Sequence, residues 1–186
     1  MRSDPAQVAA SVAAQVLAAP PTLGPGRLVC IDGPAGSGKT TLAEAMERAA
    51  DDVVVIHCDE LLRGWGGLAG LAATVETLLA PLAVGRPSRW TRWDWLADGW
   101  AEDHPVEPGG LLVLEGVGSW SPAIAELVGV LVWVEAAADL RLDRGMARDG
   151  EGMREHWLRW QVEEQELHTR SGTRDHADLV VTTDER

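Results

Sequence analysis

A chain of 186 residues is long enough for one domain with a sizeable core and short for two. With 29 acidic against 16 basic residues the formal charge is −13, which disfavours a nucleic-acid partner, because binding to a phosphate backbone is driven by Lys and Arg releasing counterions. The aromatic residues are nine Trp with no Phe or Tyr, and the basic ones are fifteen Arg and a single Lys; there is no Asn, which excludes the Asn-Lys-x-Asp element by which common GTPases read guanine.

Near the N-terminus Asp4 and Pro5 interrupt the sequence, and no apolar run approaches about 18 residues, so neither a secretory signal nor a membrane span is predicted and a cytoplasmic protein is expected. Residues 6–19 carry Val8, Val12 and Val16 four apart, the spacing of one helical face, and Pro20 and Pro21 stop the helix. Short apolar runs rich in β-branched residues then follow at 28–31, 53–57, 111–114, 130–134 and 179–181. They lack the alternation of a strand wet on one side, so they read as strands buried on both faces. Helical patterns lie between them at 40–50, 69–83, 122–128, 136–148 and 152–168. Strands separated by helices predict βαβ units, a parallel sheet and a three-layer α/β fold in one domain, 1–186. The least regular region, about 86–110, holds Trp90, Trp93, Trp95 and Trp100 and reads as an insertion facing a substrate. Cys30 and Cys58 sit in or at the end of apolar runs without CxxC or paired-His spacing, so a structural role is expected.

The first strand runs into Gly33-Pro34-Ala35-Gly36-Ser37-Gly38-Lys39-Thr40, a match to GxxxxGK[ST] placed between a predicted strand and a predicted helix. Glycines let the backbone turn tightly so that its N–H groups face phosphate oxygens, and the helix N-terminus adds its positive dipole end. With this composition a chance match is expected about once in a thousand such chains, so the loop is read as functional. The only lysine of the chain falls where the motif requires one. The expected nucleotide-binding set is residues 33–40 with Thr41; Lys39 would reach the β- and γ-phosphates and Thr40 would hold Mg²⁺.

Four predicted strands end in or just before a carboxylate: Asp32, Asp59, Glu115 and Glu135. Ligands of parallel sheets gather at the carboxyl ends of the strands, so these acids line the expected site, although Glu135 is read as a cap to the next helix. Glu115 is the candidate partner for Mg²⁺. Asp59, also within reach of the metal, is the candidate base for an attacking hydroxyl. Arg141, Arg144 and Arg148, three and four apart on the helix after the fourth strand, fit charge on a transferring phosphoryl group, Arg144 and Arg148 foremost. Trp133, Trp157 and Trp160 are read as packing and His57 as a strand residue, whereas Trp65, Trp93 and Trp95 stand in loops near the acid edge and could stack on a flat or sugar-like molecule.

In order along the chain, LVCIDGPAGSGKTTL, CDELLRG with Asp59, LLVLEG with Glu115, DLRLDRGMARD with Arg144 and Arg148, and HADLVV with Asp178 resemble the P-loop small-molecule kinases of the uridine kinase type. The resemblance implies a five-stranded parallel core of order 2-3-1-4-5, an Arg-bearing lid, ATP with Mg²⁺ as donor, and a nucleoside hydroxyl as acceptor. Trp93-Asp94-Trp95 is similar to the family's aromatic-Asp-aromatic segment beside the nucleoside, but Leu96, Ala97 and Asp98 follow where the family places a histidine. Two other readings stay open. One is a nucleoside monophosphate kinase using Arg86, Arg89 and Arg92 for the acceptor's phosphate; the other is a nucleotide-binding ATPase module with no small acceptor.

Overall fold

The computed structural model describes residues 4–183; residues 1–3 and 184–186 of the expected domain lie outside it. Five parallel strands, β1 (Arg27–Asp32), β2 (Val53–His57), β5 (Leu111–Glu115), β6 (Val130–Glu135) and β7 (Leu179–Thr182), form one sheet of order β2-β5-β1-β6-β7. Counted among themselves these are strands 2-3-1-4-5, the expected order. The central strands read as unbroken apolar runs because both faces are covered, and alternate residues of β1 show it. Leu28 and Cys30 join the core on one side, Val29 and Ile31 the core on the other.

One face is covered by α1 (Pro5–Ala18) and α2 (Lys39–Ala49). Helix α1 starts as its sequence dictates: Asp4 Oδ1 accepts from the Ala6 N–H at 3.0 Å, and Pro5 occupies the first turn, where no N–H is needed. Its Ala9, Val12, Ala13 and Val16 are buried. The other face is covered by α3 (Leu71–Ala83) and α5 (Arg154–Ser171), through residues such as Leu79, Leu82 and Trp160. Helix α4 (Ala138–Asp149) leads from β6 towards α5, and the short α6 (Thr173–His176) precedes β7.

Three expectations are corrected. The region 86–110 is a regular antiparallel hairpin of β3 (Ser88–Asp94) and β4 (Gly99–Val106), with a register shift between Thr91 and Trp93. The pattern at 122–128 is a 3₁₀ segment, Pro122–Leu127, rather than an α-helix. Glu135 does not cap α4: its carboxylate accepts from Arg174 Nε at 2.8 Å and from the Trp133 indole at 2.7 Å. Cys30 and Cys58 are buried free thiols, and burial pushes both well above the ordinary thiol pKa, so neither is poised as a nucleophile. Among the described residues no helix is long and apolar enough to cross a membrane.

Candidate active site

The phosphate loop is held by contacts that demand its glycines. Gly33 has φ +139°, and a Cβ there would stand 2.0 Å from the Val134 carbonyl oxygen; Gly36, at φ +77°, would meet the Arg141 carbonyl at 2.7 Å. Asp32, fully buried at the end of β1, accepts from the N–H groups of Gly33 at 2.7 Å, Gly118 at 2.9 Å and Trp120 at 3.0 Å, with His168 Nε2 at 3.1 Å. This strand-end acid therefore fastens the start of the loop to the segment after β5. Lys39, the first residue of α2, is buried and donates from Nζ to the Pro34 carbonyl at 3.0 Å, and the Thr40 hydroxyl donates to Glu115 Oε1 at 3.1 Å.

Glu115 ends β5, directly opposite His57 at the end of β2 in the parallel register. His57 Nδ1 lies 2.7 Å from Glu115 Oε1, so this strand residue is part of the site. The bond to Glu115 outweighs partial burial and raises the His57 pKa to about 9. An imidazole whose pKa rises on folding stabilises the folded state fully below its unfolded value of about 6.5 and loses that contribution as pH climbs through the folded value. Melts of the protein without divalent cations, taken from pH 6 to pH 10, are therefore expected to show a fall in Tm spread between about pH 6.5 and about pH 9 and complete above it. In His57→Gln that fall is expected to be absent. A wild-type Tm flat across the range would refute the coupling.

Asp59 follows β2 in a 3₁₀ turn, Cys58–Leu61, anchored by buried Cys58 and Leu61 and by the Trp95 indole, which donates to the Asp59 carbonyl at 3.1 Å. Its side chain opens into a cleft, yet the surrounding walls displace much of its water. This desolvation, followed by the charge of Glu115, raises its pKa above the ordinary aspartate value. Lys39, Thr40, Asp59, Glu115, Arg144 and Arg148 all line one cavity of about 670 Å³. Its floor is the loop and its far wall is made of Trp65, Trp95, Trp157 and Trp160 with Leu62, Leu96 and Met153. Trp65 stands edge-on to Trp95 at 5.6 Å and to Trp160 at 5.7 Å. Gly145 of α4 lets the Trp157 ring close in, since a Cβ there would lie 2.5 Å from that ring.

The structure thus brings Ala35, Gly36, Gly38, Lys39 and Thr40 of the loop together with Asp59, Glu115, Trp65, Trp95, Arg144 and Arg148, while Gly33, Pro34, Ser37 and Thr41 do not line the cavity. It does not bring in Trp93 and Asp94. Trp93 is buried in the hairpin edge-on to Trp100 at 5.0 Å, and Asp94 Oδ1 accepts from Leu96 and Ala97 N–H groups, both at 2.9 Å, closing the hairpin turn. Arg148 is bound by Asp149 at 2.7 Å and lies 5.6 Å over the Trp157 ring. Arg141 does not face the cavity; it pairs with buried Glu164 at 2.6 Å. Glu164 carries no motif in the sequence, yet it accepts from the Ala35 N–H of the loop at 2.7 Å. Trp157 and Trp160 pack as expected and also form cavity wall.

Solved structures that share this fold include two kinase-like proteins. One is a possible uridine kinase from Bacillus stearothermophilus, 18% identical, with a TM-score of 0.63 over 94% of this chain and 98% of that one. The other, assigned as a fructose transport system kinase from Silicibacter sp. TM1040, is 16% identical, with a TM-score of 0.63 over 92% and 98%. No family model and no curated protein matches the sequence. The chain has the fold of P-loop kinases.

Proposed function

We propose that the chain is an ATP- and Mg²⁺-dependent phosphotransferase, a single kinase domain working on the cytoplasmic ATP pool, whose acceptor is the hydroxyl of an uncharged small molecule, with nucleosides the leading class. The observation that carries it is the convergence of Asp59 with Lys39, Thr40 and Glu115 on one cavity at the carboxyl edge of the sheet. The loop fits a polyphosphate: its glycines bring backbone rather than side chains to the cavity, and Lys39 supplies a compact cation. The Thr40 hydroxyl and the Glu115 carboxylate are hard oxygen donors 3.1 Å apart, and among the described residues no group of three or more His, Cys, Asp or Glu could hold a metal. That sparse donor set suits Mg²⁺, which keeps several waters and leans on substrate phosphates. Bound with the nucleotide, the ion supplies neutralisation of phosphate charge.

In the reaction the acceptor oxygen bonds to the γ-phosphorus as the bond from that phosphorus to the bridging oxygen of ADP breaks. Asp59 takes the hydroxyl proton. A carboxylate of raised pKa, open to the cleft and backed by a fixed 3₁₀ turn, suits that task. The indole wall favours an acceptor with a broad apolar face. The Trp95 and Trp157 N–H groups are occupied by the Asp59 carbonyl and by Asp149, so these rings offer π surface rather than donors.

An uncharged acceptor is favoured over a nucleoside monophosphate because Arg86, Arg89 and Arg92 are not among the cavity's lining residues. Arg92 is engaged by Glu102 at 2.8 Å and Asp94 at 3.2 Å on the hairpin. A coupled ADP-release screen with Mg·ATP over nucleosides, nucleotides, sugars and antibiotics tests the reading. Release stimulated by an unphosphorylated acceptor more than by its monophosphate is expected. Failure of every acceptor to stimulate release overturns it.

A further inference from the structure

Three successive carbonyls of the phosphate loop are bonded from outside the loop. Ala35 O accepts from Arg141 Nη1 at 3.1 Å, Gly36 O from Arg144 Nη1 at 3.1 Å, and Ser37 O from the Thr183 hydroxyl at 2.6 Å. In a trans peptide the C=O of one residue and the N–H of the next point in opposite directions. Bonds that hold these three oxygens outward therefore turn the N–H groups of Gly36, Ser37 and Gly38 to the concave side. The Ser37 N–H there makes only a long turn bond of 3.3 Å to Pro34 O.

The braces are themselves fixed. Arg144 Nη2 also donates to the Thr183 carbonyl at 2.7 Å, and its Nη1 lies 3.1 Å from the Thr183 hydroxyl, so the end of β7 and helix α4 grip the loop as a unit. Arg141 is held by Glu164 at 2.6 Å and by the Ala136 carbonyl at 3.2 Å. Glu164 also takes the Ala35 N–H, so both polar groups of Ala35 are clamped by one buried ion pair. Helix α4 reaches the loop closely enough that Gly36 could carry no Cβ.

We propose that Arg144, with Arg141 and Thr183, is a positioning residue of the phosphate loop: it sets the peptide planes from behind, and its main effect is on the affinity for the nucleotide's diphosphate rather than on charge at the transferred group. The loop's peptide dipoles converge on one another when no anion is present, and the outward carbonyls, part-buried at α4 and Thr183, would lose these partners without the braces. The braces answer both costs, holding the loop ready for phosphate. Arg144 and Arg148 both line the cavity; Arg148 is held by Asp149 rather than by the loop and remains the candidate for charge on the transferred group.

This inference rests on the nucleotide-binding reading of the loop, and the test separates the two. Calorimetric Kd values for Mg·ADP and Mg·ATP are measured on wild type, Arg144→Ala and Thr183→Val. Thr183→Val removes a hydroxyl of nearly the same shape and no charge, which keeps the test intact if the arginine variant folds poorly. Both variants are expected to weaken Mg·ADP and Mg·ATP by the same factor, about tenfold for a lost bond to a part-buried carbonyl. An unchanged Kd for Mg·ADP in either folded variant overturns the inference, most directly if kcat falls in Arg144→Ala with ADP affinity retained. Wild-type protein that binds neither nucleotide overturns the kinase reading and this inference with it.

Discussion

Lys39→Arg is expected to lower kcat/KM by about a thousandfold, as far as Lys39→Ala does, although it keeps the positive charge. The loss corresponds to the upper range seen when one preorganised charge-stabilising donor is removed from an active site. Lys39 is buried at the first position of α2, and its Nζ folds against the Pro34 carbonyl inside a loop whose glycines leave no room for side chains. An ammonium is a compact point charge with three donors, whereas a guanidinium is a planar fork that needs width and coplanar partners. The substitution also tests whether the lone lysine is compositional accident, since all fifteen other basic residues are already Arg. If Lys39→Arg retained more than a tenth of wild-type kcat/KM, the coincidence of the only lysine with the motif would carry no functional weight. Steady-state ADP release reads the result, and a thermal melt confirms that the variant is folded.

The parallel core was legible because buried parallel strands write themselves as unbroken apolar runs, and the carboxylates after those runs mark the edge where the cavity opens. The hairpin was not. Its strands, SRWTRWD and GWAEDHPV, have no apolar run, and only Trp93 and Val106 in them are buried. They are held by pairing across a turn, as in Trp90 against His104 and Trp93 against Trp100, which single-strand periodicity does not encode. Trp93 and Trp95 are two residues apart, yet one is core and the other cavity wall, because β3 ends at Asp94 and the turn re-aims the Trp95 ring. Glu164 and His57 gave no local signal either. Glu164 sits on a polar helix and His57 ends an edge strand, and only the packing of α5 against the loop and the β2–β5 register give them partners. The spacing of Trp157 and Trp160 reports a shared helix face but not whether that face meets core or cavity; here it meets both.

Asp59→Asn is expected to lower acceptor-stimulated kcat by between about a hundredfold and ten-thousandfold, the span of general-base contributions, while the Kd for Mg·ATP changes by less than about threefold. The amide keeps the shape and removes the proton acceptor. Because crowding by the cleft walls and then the Glu115 charge raise the Asp59 pKa, its ionised form is lost at a higher pH than for a free aspartate. The acid limb of the wild-type kcat/KM profile should therefore lie above the ordinary value of 3.8. In Asp59→Asn that limb should disappear with the rate. The same variant divides the kinase from the nucleotide-binding module. A module hydrolysing ATP passes the phosphoryl group to water, so its turnover is not raised by a small acceptor, and Asp59→Asn would leave no acceptor-dependent rate to lose. Persistence of acceptor-stimulated turnover beside unchanged ATP binding would overturn the role of Asp59 as base, and turnover in wild type that no acceptor stimulates would overturn the kinase reading, whereas loss of the acceptor-stimulated rate with ATP binding and basal hydrolysis intact assigns the carboxylate to the acceptor. The backbone supports that assignment, because the Asp59 carbonyl is gripped by the Trp95 indole, so the residue that would take the proton is tied to the wall on which the acceptor would stack.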